Sequence, residues 1–116
     1  MKFVSALVVL AAFAAADAQS SFKLDGHEIQ QVLADDKLYH QYFNCVMDKE
    51  KCTPDGQDLK DHIPDHINGG CANCTPERKE RAKTLVRFMV AKKNHDFEEF
   101  EKKYDPKHMM RKQYGQ

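Results

Sequence analysis

The spacing of hydrophobic positions along the chain predicts helices and almost no strand. Ile29, Val32 and Leu33 are three and four residues apart, as expected on one face of a short first helix after Asp25-Gly26. Asp35 or Asp36 can cap a second helix, which has a broad apolar stripe. The residues of that stripe are Leu38, Tyr39, Tyr42, Phe43, Val46 and Met47.

Two Thr-Pro pairs mark the starts of the next helices. Thr53-Pro54 places an N-cap before a proline in the first helical position, and Thr75-Pro76 repeats this signal. We expect Pro64 to bend or divide the first of these helices and Gly69-Gly70 to end it. Its apolar positions are Leu59, Ile63 and Ile67; those of the second and longest helix are Ala82, Leu85, Val86, Met89 and Val90.

The C-terminal part of the chain predicts two more helices. Asn94 can cap a fifth helix, which Asp105-Pro106 should close. The apolar residues are Phe97, Phe100 and Tyr104 in the fifth helix, and Met109, Met110 and Tyr114 in a short sixth. Because the connections are only a few residues long, sequential helices should pack together. The predicted fold is therefore all-α, with about six short helices.

Residues 1–18 have the three parts of a signal peptide. Lys2 supplies a positive charge, Phe3 to Phe13 form an apolar run, and Ala16-Asp17-Ala18 offers small residues before a cut. A membrane anchor is disfavoured because the run is far shorter than the ~20 residues that span a bilayer. We therefore predict a signal peptide at 1–18 and a single helical domain at 19–116, secreted and extracellular.

The charge balance narrows the range of partners. The chain has 18 Lys and Arg against 18 Asp and Glu, and removing the leader takes away one of each sign. A net charge of zero without a long basic run argues against nucleic acid or an anionic membrane as partner. No second apolar stretch follows the leader, so we expect a soluble protein without membrane insertion. We also predict that it is a monomer.

Four cysteines follow the pattern C-x6-C-x18-C-x2-C, at Cys45, Cys52, Cys71 and Cys74. An even number of cysteines in a short exported protein indicates disulfides. The alternatives are a zinc site, in which the Cys71–Cys74 pair is completed by other cysteines or a histidine, and a redox-active CxxC. Export favours two structural disulfides, but the spacing leaves all three pairings open.

The sequence offers no pattern typical of catalysis. His62 and His66 have the i, i+4 spacing that could present two imidazoles to a metal, but Pro64 lies between them and Asp61 and Asp65 are interleaved. A solvated helix face explains them better. Metalloprotease, phosphate-loop and nucleophile-elbow motifs are absent from the sequence. We therefore predict no enzyme, no cofactor and no metal site.

Several aromatic residues suit an apolar pocket. Tyr42, Phe97, Tyr104 and Tyr114 combine apolar rings with, in three cases, a hydroxyl that could contact a ligand. Ordinary core packing is the alternative for each of them. Composition does not separate a filled core from a hollow one.

The cysteine pattern and three flanking stretches resemble the insect chemosensory proteins, the OS-D-like family of small secreted carriers. The stretches are Tyr42 to Cys45, Lys51 to Gly56 and Lys103 to Pro106, and the resemblance runs without a gap from about Leu24 to Tyr114. It implies about six helices around a hydrophobic channel. It also implies sequential disulfides, Cys45–Cys52 and Cys71–Cys74.

The resemblance further implies a function, reversible binding of small hydrophobic ligands such as semiochemicals, long-chain alcohols, esters or fatty acids. Tyr42 stands where the family often has a gating tyrosine, and Phe97 where many members have a tryptophan, which this chain lacks. The alternative is a secreted structural or developmental interaction protein with a filled core; a cavity of a few hundred Å³ would distinguish the two. By position, the residues that would line or gate the channel are Ile29, Val32, Leu33, Tyr42, Val46, Leu59, Ile63, Ile67, Val86, Phe97 and Tyr114.

Overall fold

The computed structural model describes residues 23–115, which form seven helices and one small hairpin. The predicted signal peptide at 1–18 lies outside the described residues and stays a prediction. The elements are β1 (Lys23–Leu24), β2 (His27–Glu28), α1 (Ile29–Ala34), α2 (Asp36–Val46), α3 (Pro54–Asp61), α4 (Ile63–Gly69), α5 (Pro76–Lys92), α6 (Asn94–Tyr104) and α7 (Met109–Tyr114).

The predicted all-α fold is confirmed, and α3 and α4 together are the helix expected to be divided. His62 separates them, and Pro64 lies in the first turn of α4, where its missing N–H is tolerated. Gly70 closes α4 in the left-handed conformation (φ 62°). The division leaves His62 at the junction of the two helices.

The helix caps follow the predicted chemistry with one exception. The hydroxyl of Thr53 accepts the backbone N–H of Gly56 (3.1 Å), and Thr75 caps α5 in the same way. Asp35 caps α2 through its carboxylate. The predicted Asn94 cap is wrong: Asn94 is the first residue of α6, and its side-chain amide donates to Glu98 instead.

An Asp-Gly turn builds the hairpin at the start of the described chain. Asp25 and Gly26 both have positive φ (51° and 84°), as a type I′ turn between two antiparallel strands requires. Leu24 pairs with His27 across the strands, and its side chain is only 1% exposed. The hairpin thus carries a core residue into the helical bundle.

The helices pack mainly against their neighbours in sequence, as short connections favour. The exception is α7, which returns to pack against both α4 and α5. The core between them consists of Leu24, Ile29, Val32, Leu33, Tyr39, Phe43, Ile63, Ala82, Val86, Phe97, Phe100, Met110 and Tyr114.

Both disulfides are local, in the sequential pairing that the resemblance implies. Cys45 at the end of α2 is bonded to Cys52 before α3, and Cys71 to Cys74 within the α4–α5 connection. The Cα atoms are 4.9 and 5.1 Å apart, within the usual range. Each bridge fixes one helix junction, and neither ties together helices that are distant in sequence.

Candidate ligand cavity

An apolar cavity of about 120 Å³ lies inside the helical bundle. The hairpin strand β1 and all seven helices contribute to its wall. For example, β1 and α1 contribute Leu24 and Val32, α5 contributes Val86, and α6 and α7 contribute Phe97 and Met110. The interior is therefore neither filled nor as hollow as the few hundred Å³ that would mark a preformed ligand site.

Eight of the eleven residues expected to line or gate the channel are on the wall of this cavity. They are Val32, Leu33, Tyr42, Val46, Leu59, Ile63, Val86 and Phe97. The other three lie elsewhere. Ile29 is buried in the core at the start of α1, Ile67 is partly buried on α4, and Tyr114 packs edge-on against His66, with ring centroids 5.7 Å apart. Whether any of the eleven contacts a ligand stays a prediction.

Sequence reasoning missed a further group of wall residues. They are Leu24, Tyr39, Phe43, His62, His66, Arg81, Ala82, Leu85, Met89, Phe100 and Met110. Most of them belong to apolar stripes that had been recognised. Helical periodicity marked them as buried but did not show which of them line the cavity. Leu24 had no such signal because it enters the core from a hairpin strand. His62 and His66 had been interpreted as a solvated face.

The tyrosine hydroxyls make hydrogen bonds within the protein. Tyr42 donates to the carboxylate of Asp25, and the hydroxyl of Thr53 donates to the same carboxylate (2.8 Å). Burial raises the pKa of Tyr42, and the hydrogen bond to Asp25 raises it further. This network holds the hairpin, and with it Leu24, against α2 and the start of α3.

The other two candidate tyrosines are engaged as well. Tyr104 donates to the backbone oxygen of Val46 (2.5 Å), which ties α6 to the end of α2. The hydroxyl of Tyr114 and Nδ1 of His66 share a hydrogen bond (3.1 Å) that connects α7 with α4. These hydroxyls therefore serve helix packing, and a polar contact to a ligand has to come from other side chains.

Three basic side chains lie on the wall, and we call them the basic end: His62, His66 and Arg81. His66 is buried, and burial lowers the pKa of its imidazole, assisted by the positive charge of Arg81. Arg81 donates through Nη2 to the carboxylate of Asp58 (3.1 Å). Nδ1 of His62 lies 2.7 Å from the backbone oxygen of Asp58.

A second recess, of about 560 Å³, adjoins the basic end. Its wall comes from α4, the α4–α5 connection and the start of α5, and includes the polar residues Asp65, Asn68, Asn73 and Arg78. His62 belongs to the walls of both the cavity and the recess. Because the wall of the recess is more polar than the wall of the cavity, the smaller cavity is the better site for an apolar ligand.

His66, Cys71 and Cys74 bring potential metal ligands together. One ligand atom from each lies within 4.8 Å of the others, and Nε2 of His66 is 3.7 Å from the sulfur of Cys71. The two sulfurs are bonded to each other, however, and zinc binds thiolates. In its disulfide form this cluster is part of the core packing around α4.

Among residues 23–115, the helices all fall short of the length and apolar character that crossing a bilayer requires.

Comparison with known proteins identifies the family. Residues 21–112 match the model of the insect pheromone-binding family A10/OS-D. The chain is 32% identical over 115 residues to ejaculatory bulb-specific protein 3 of Drosophila melanogaster, covering 98% of this chain and 91% of that protein.

Two solved structures share the fold. A chemosensory protein in complex with bromo-dodecanol is 31% identical, with a TM-score of 0.71 over 85% of this chain and 94% of the other. Antennal chemosensory protein A6 from the moth Mamestra brassicae is 35% identical, with a TM-score of 0.66 over 74% and 84%. The predicted family is confirmed: the chain belongs to the insect A10/OS-D family, whose solved relatives are chemosensory proteins.

Proposed function

We propose that this protein is an exported carrier that reversibly binds a small hydrophobic ligand in its internal cavity. The observation that carries the proposal is unfilled space with an apolar wall inside the helical bundle, since protein interiors are normally close-packed. The proposal includes ligand contact by the eight predicted wall residues. It involves no covalent step, because a carrier needs only binding and release.

The relative in complex with bromo-dodecanol supports a ligand with a long alkyl chain. Long-chain alcohols, esters and fatty acids share that feature, and semiochemicals of this kind fall in the same class. Burial of the chain would supply about 25 cal/mol for each Å² of apolar surface removed from water. Part of this gain is offset by ordering a flexible ligand and the side chains around it.

The size of the cavity implies that it expands on binding. An engineered cavity of about 150 Å³ in another protein admits benzene, which has six carbons, whereas this cavity measures about 120 Å³. A twelve-carbon chain therefore needs roughly twice the space or more. The two local disulfides permit this change, because neither links helices that are distant in sequence.

The alternative function is a secreted structural or developmental interaction protein, and it predicts a filled core. The cavity of about 120 Å³ is smaller than a preformed ligand site of a few hundred Å³, but unfilled apolar space still favours the carrier over a filled core. On the carrier proposal the protein acts as a monomer and needs neither nucleic acid nor membrane insertion. Its partner is the hydrophobic ligand.

Displacement of a fluorescent hydrophobic probe tests the proposal. The chain has no tryptophan, so probe fluorescence is free of that background. We expect 1-dodecanol, methyl dodecanoate and dodecanoate all to displace the probe, and the same compounds with chains of four carbons to fail. If none of the long-chain compounds displaces it while circular dichroism shows folded protein, the carrier proposal is wrong.

A further inference from the structure

The ionisable side chains on the cavity wall, apart from two tyrosines, are basic. Within residues 23–115, the ionisable wall residues other than tyrosine are His62, His66 and Arg81, and the wall includes no carboxylate. The remaining wall residues are apolar or aromatic. The cavity is therefore an apolar space with one basic end.

Arg81 places a permanent positive charge at this end. Its side chain is 15% exposed and is held by Asp58, which lies outside the cavity wall and is itself more exposed. Asp58 also faces Arg78 (3.7 Å) and His62 (3.4 Å), so this one carboxylate is shared among several basic groups. Among residues 23–115, Arg81 makes one side-chain hydrogen bond, through Nη2, and a guanidinium has five N–H donors.

The histidines add directional hydrogen-bonding groups beside Arg81. His62 uses Nδ1 toward the backbone oxygen of Asp58, and His66 uses Nδ1 toward Tyr114. His66 lies on α4, and its hydrogen bond with Tyr114 of α7 fixes the position of its ring at the cavity wall. Because the tyrosine hydroxyls of the site are engaged elsewhere, the basic end is where a ligand head group would find polar partners.

We propose that the basic end selects ligands with a carboxylate head group, so that a long-chain carboxylate binds more tightly than the alcohol or methyl ester of the same chain. This inference rests on the proposed carrier function. A guanidinium and a carboxylate form charge-assisted hydrogen bonds that neutral hydroxyl and ester groups cannot match. Arg81 is the specificity-determining residue, and the alkyl chain occupies the apolar remainder of the cavity.

Competition among three ligands of equal chain length tests the selectivity. Dodecanoate, 1-dodecanol and methyl dodecanoate are titrated against a bound fluorescent probe at about pH 8, where carboxylates are ionised and most imidazoles are neutral. We expect dodecanoate to bind about tenfold more tightly than the other two, the size of effect that one charge-assisted hydrogen bond gives. Equal affinity for all three would overturn the inference and leave the carrier function intact.

Variants on α5 assign the effect to Arg81. Arg81→Gln should weaken dodecanoate binding about tenfold and change dodecanol binding less than twofold, whereas Arg81→Lys should keep most of the preference because it keeps the charge. The control is Lys83→Gln, which removes the same charge from an exposed side chain of the same helix that is not on the cavity wall.

Each outcome has one meaning. If Arg81→Gln retains the preference for dodecanoate, or if Lys83→Gln loses it equally, the selectivity does not come from the basic end. Circular dichroism of each variant establishes that it is folded. Where Arg81→Gln is not folded, Arg81→Met, which also removes the charge, takes its place and should lose the preference equally. Failure of all three ligands with the unaltered protein would instead contradict the carrier function itself.

Discussion

Leu24→Ala tests whether the N-terminal hairpin is part of the cavity wall. Leu24 is 1% exposed and faces the cavity, and the hydrogen bonds that Asp25 accepts from Tyr42 and Thr53 hold the hairpin in place. Truncating a buried leucine costs about 2.7–5.0 kcal/mol, the larger values where the site cannot collapse. A hairpin can shift more than a helix, so we expect the free energy of unfolding to fall by about 3 kcal/mol.

Urea denaturation followed by helical circular dichroism measures this loss, and 1-dodecanol gives a second readout. Because the truncation enlarges a cavity that otherwise has to expand, dodecanol should stabilise Leu24→Ala more than it stabilises the unaltered protein. Leu38→Ala is the control, since Leu38 is only partly buried and lies off the wall; we expect a loss of about 1 kcal/mol and no extra ligand effect. A loss below about 1 kcal/mol for Leu24→Ala, or equal stabilisation of both proteins by dodecanol, would refute this reasoning.

Three other perturbations test the packing around the cavity. Asp105→Ala should cost about 3 kcal/mol in urea titrations, because the carboxylate of this buried residue accepts the backbone N–H groups of Met109 and Met110 (2.9 Å each); a loss under about 1 kcal/mol would contradict this role. Burial alone would raise the pKa of Glu101, but hydrogen bonds from Arg111 and His108 hold it below the usual 4.5. The stability that these hydrogen bonds give is present above the pKa of the unfolded state and is lost as pH falls through the folded pKa. Glu101→Gln should therefore flatten the fall of Tm below about pH 4.5. An unchanged Tm profile would contradict this role of Glu101. Reduction of both disulfides should lower stability by about 4 kcal/mol while helical circular dichroism persists under native conditions; an unchanged urea midpoint would show that the bridges do not constrain the unfolded chain.

The helical framework could be predicted because its signals are local. Thr53-Pro54 and Thr75-Pro76 fix two helix starts through an N-cap hydroxyl and a proline whose missing N–H costs nothing there. Pro64 divides α3 from α4 because a proline is tolerated in the first turn of a helix but breaks a helix interior. The prediction that Asn94 caps α6 was wrong by one residue, because the helix begins at Asn94 and Lys93 is its N-cap. Sequence patterns do not fix helix ends to the residue.

The details of the site depend on contacts between distant residues, which no local pattern encodes. Tyr42 was expected to offer its hydroxyl to a ligand, but Asp25, 17 residues away, accepts that hydrogen bond. His66 was interpreted as solvated, yet α7 returns to cover it and places Tyr114 against its ring. Periodicity identifies the buried face of a helix, but whether side chains from opposite faces meet or leave space depends on the full three-dimensional packing.

The central claim is that an apolar chain enters the helical bundle, and nuclear Overhauser effects from ligand to protein test it most directly. In a complex of labelled protein with 1-dodecanol, the account predicts contacts between the alkyl protons and the methyl groups of Val32 and Val86, which are almost fully buried on the cavity wall. Contacts confined to the polar recess, for example to the methyl group of Ala72, would contradict it.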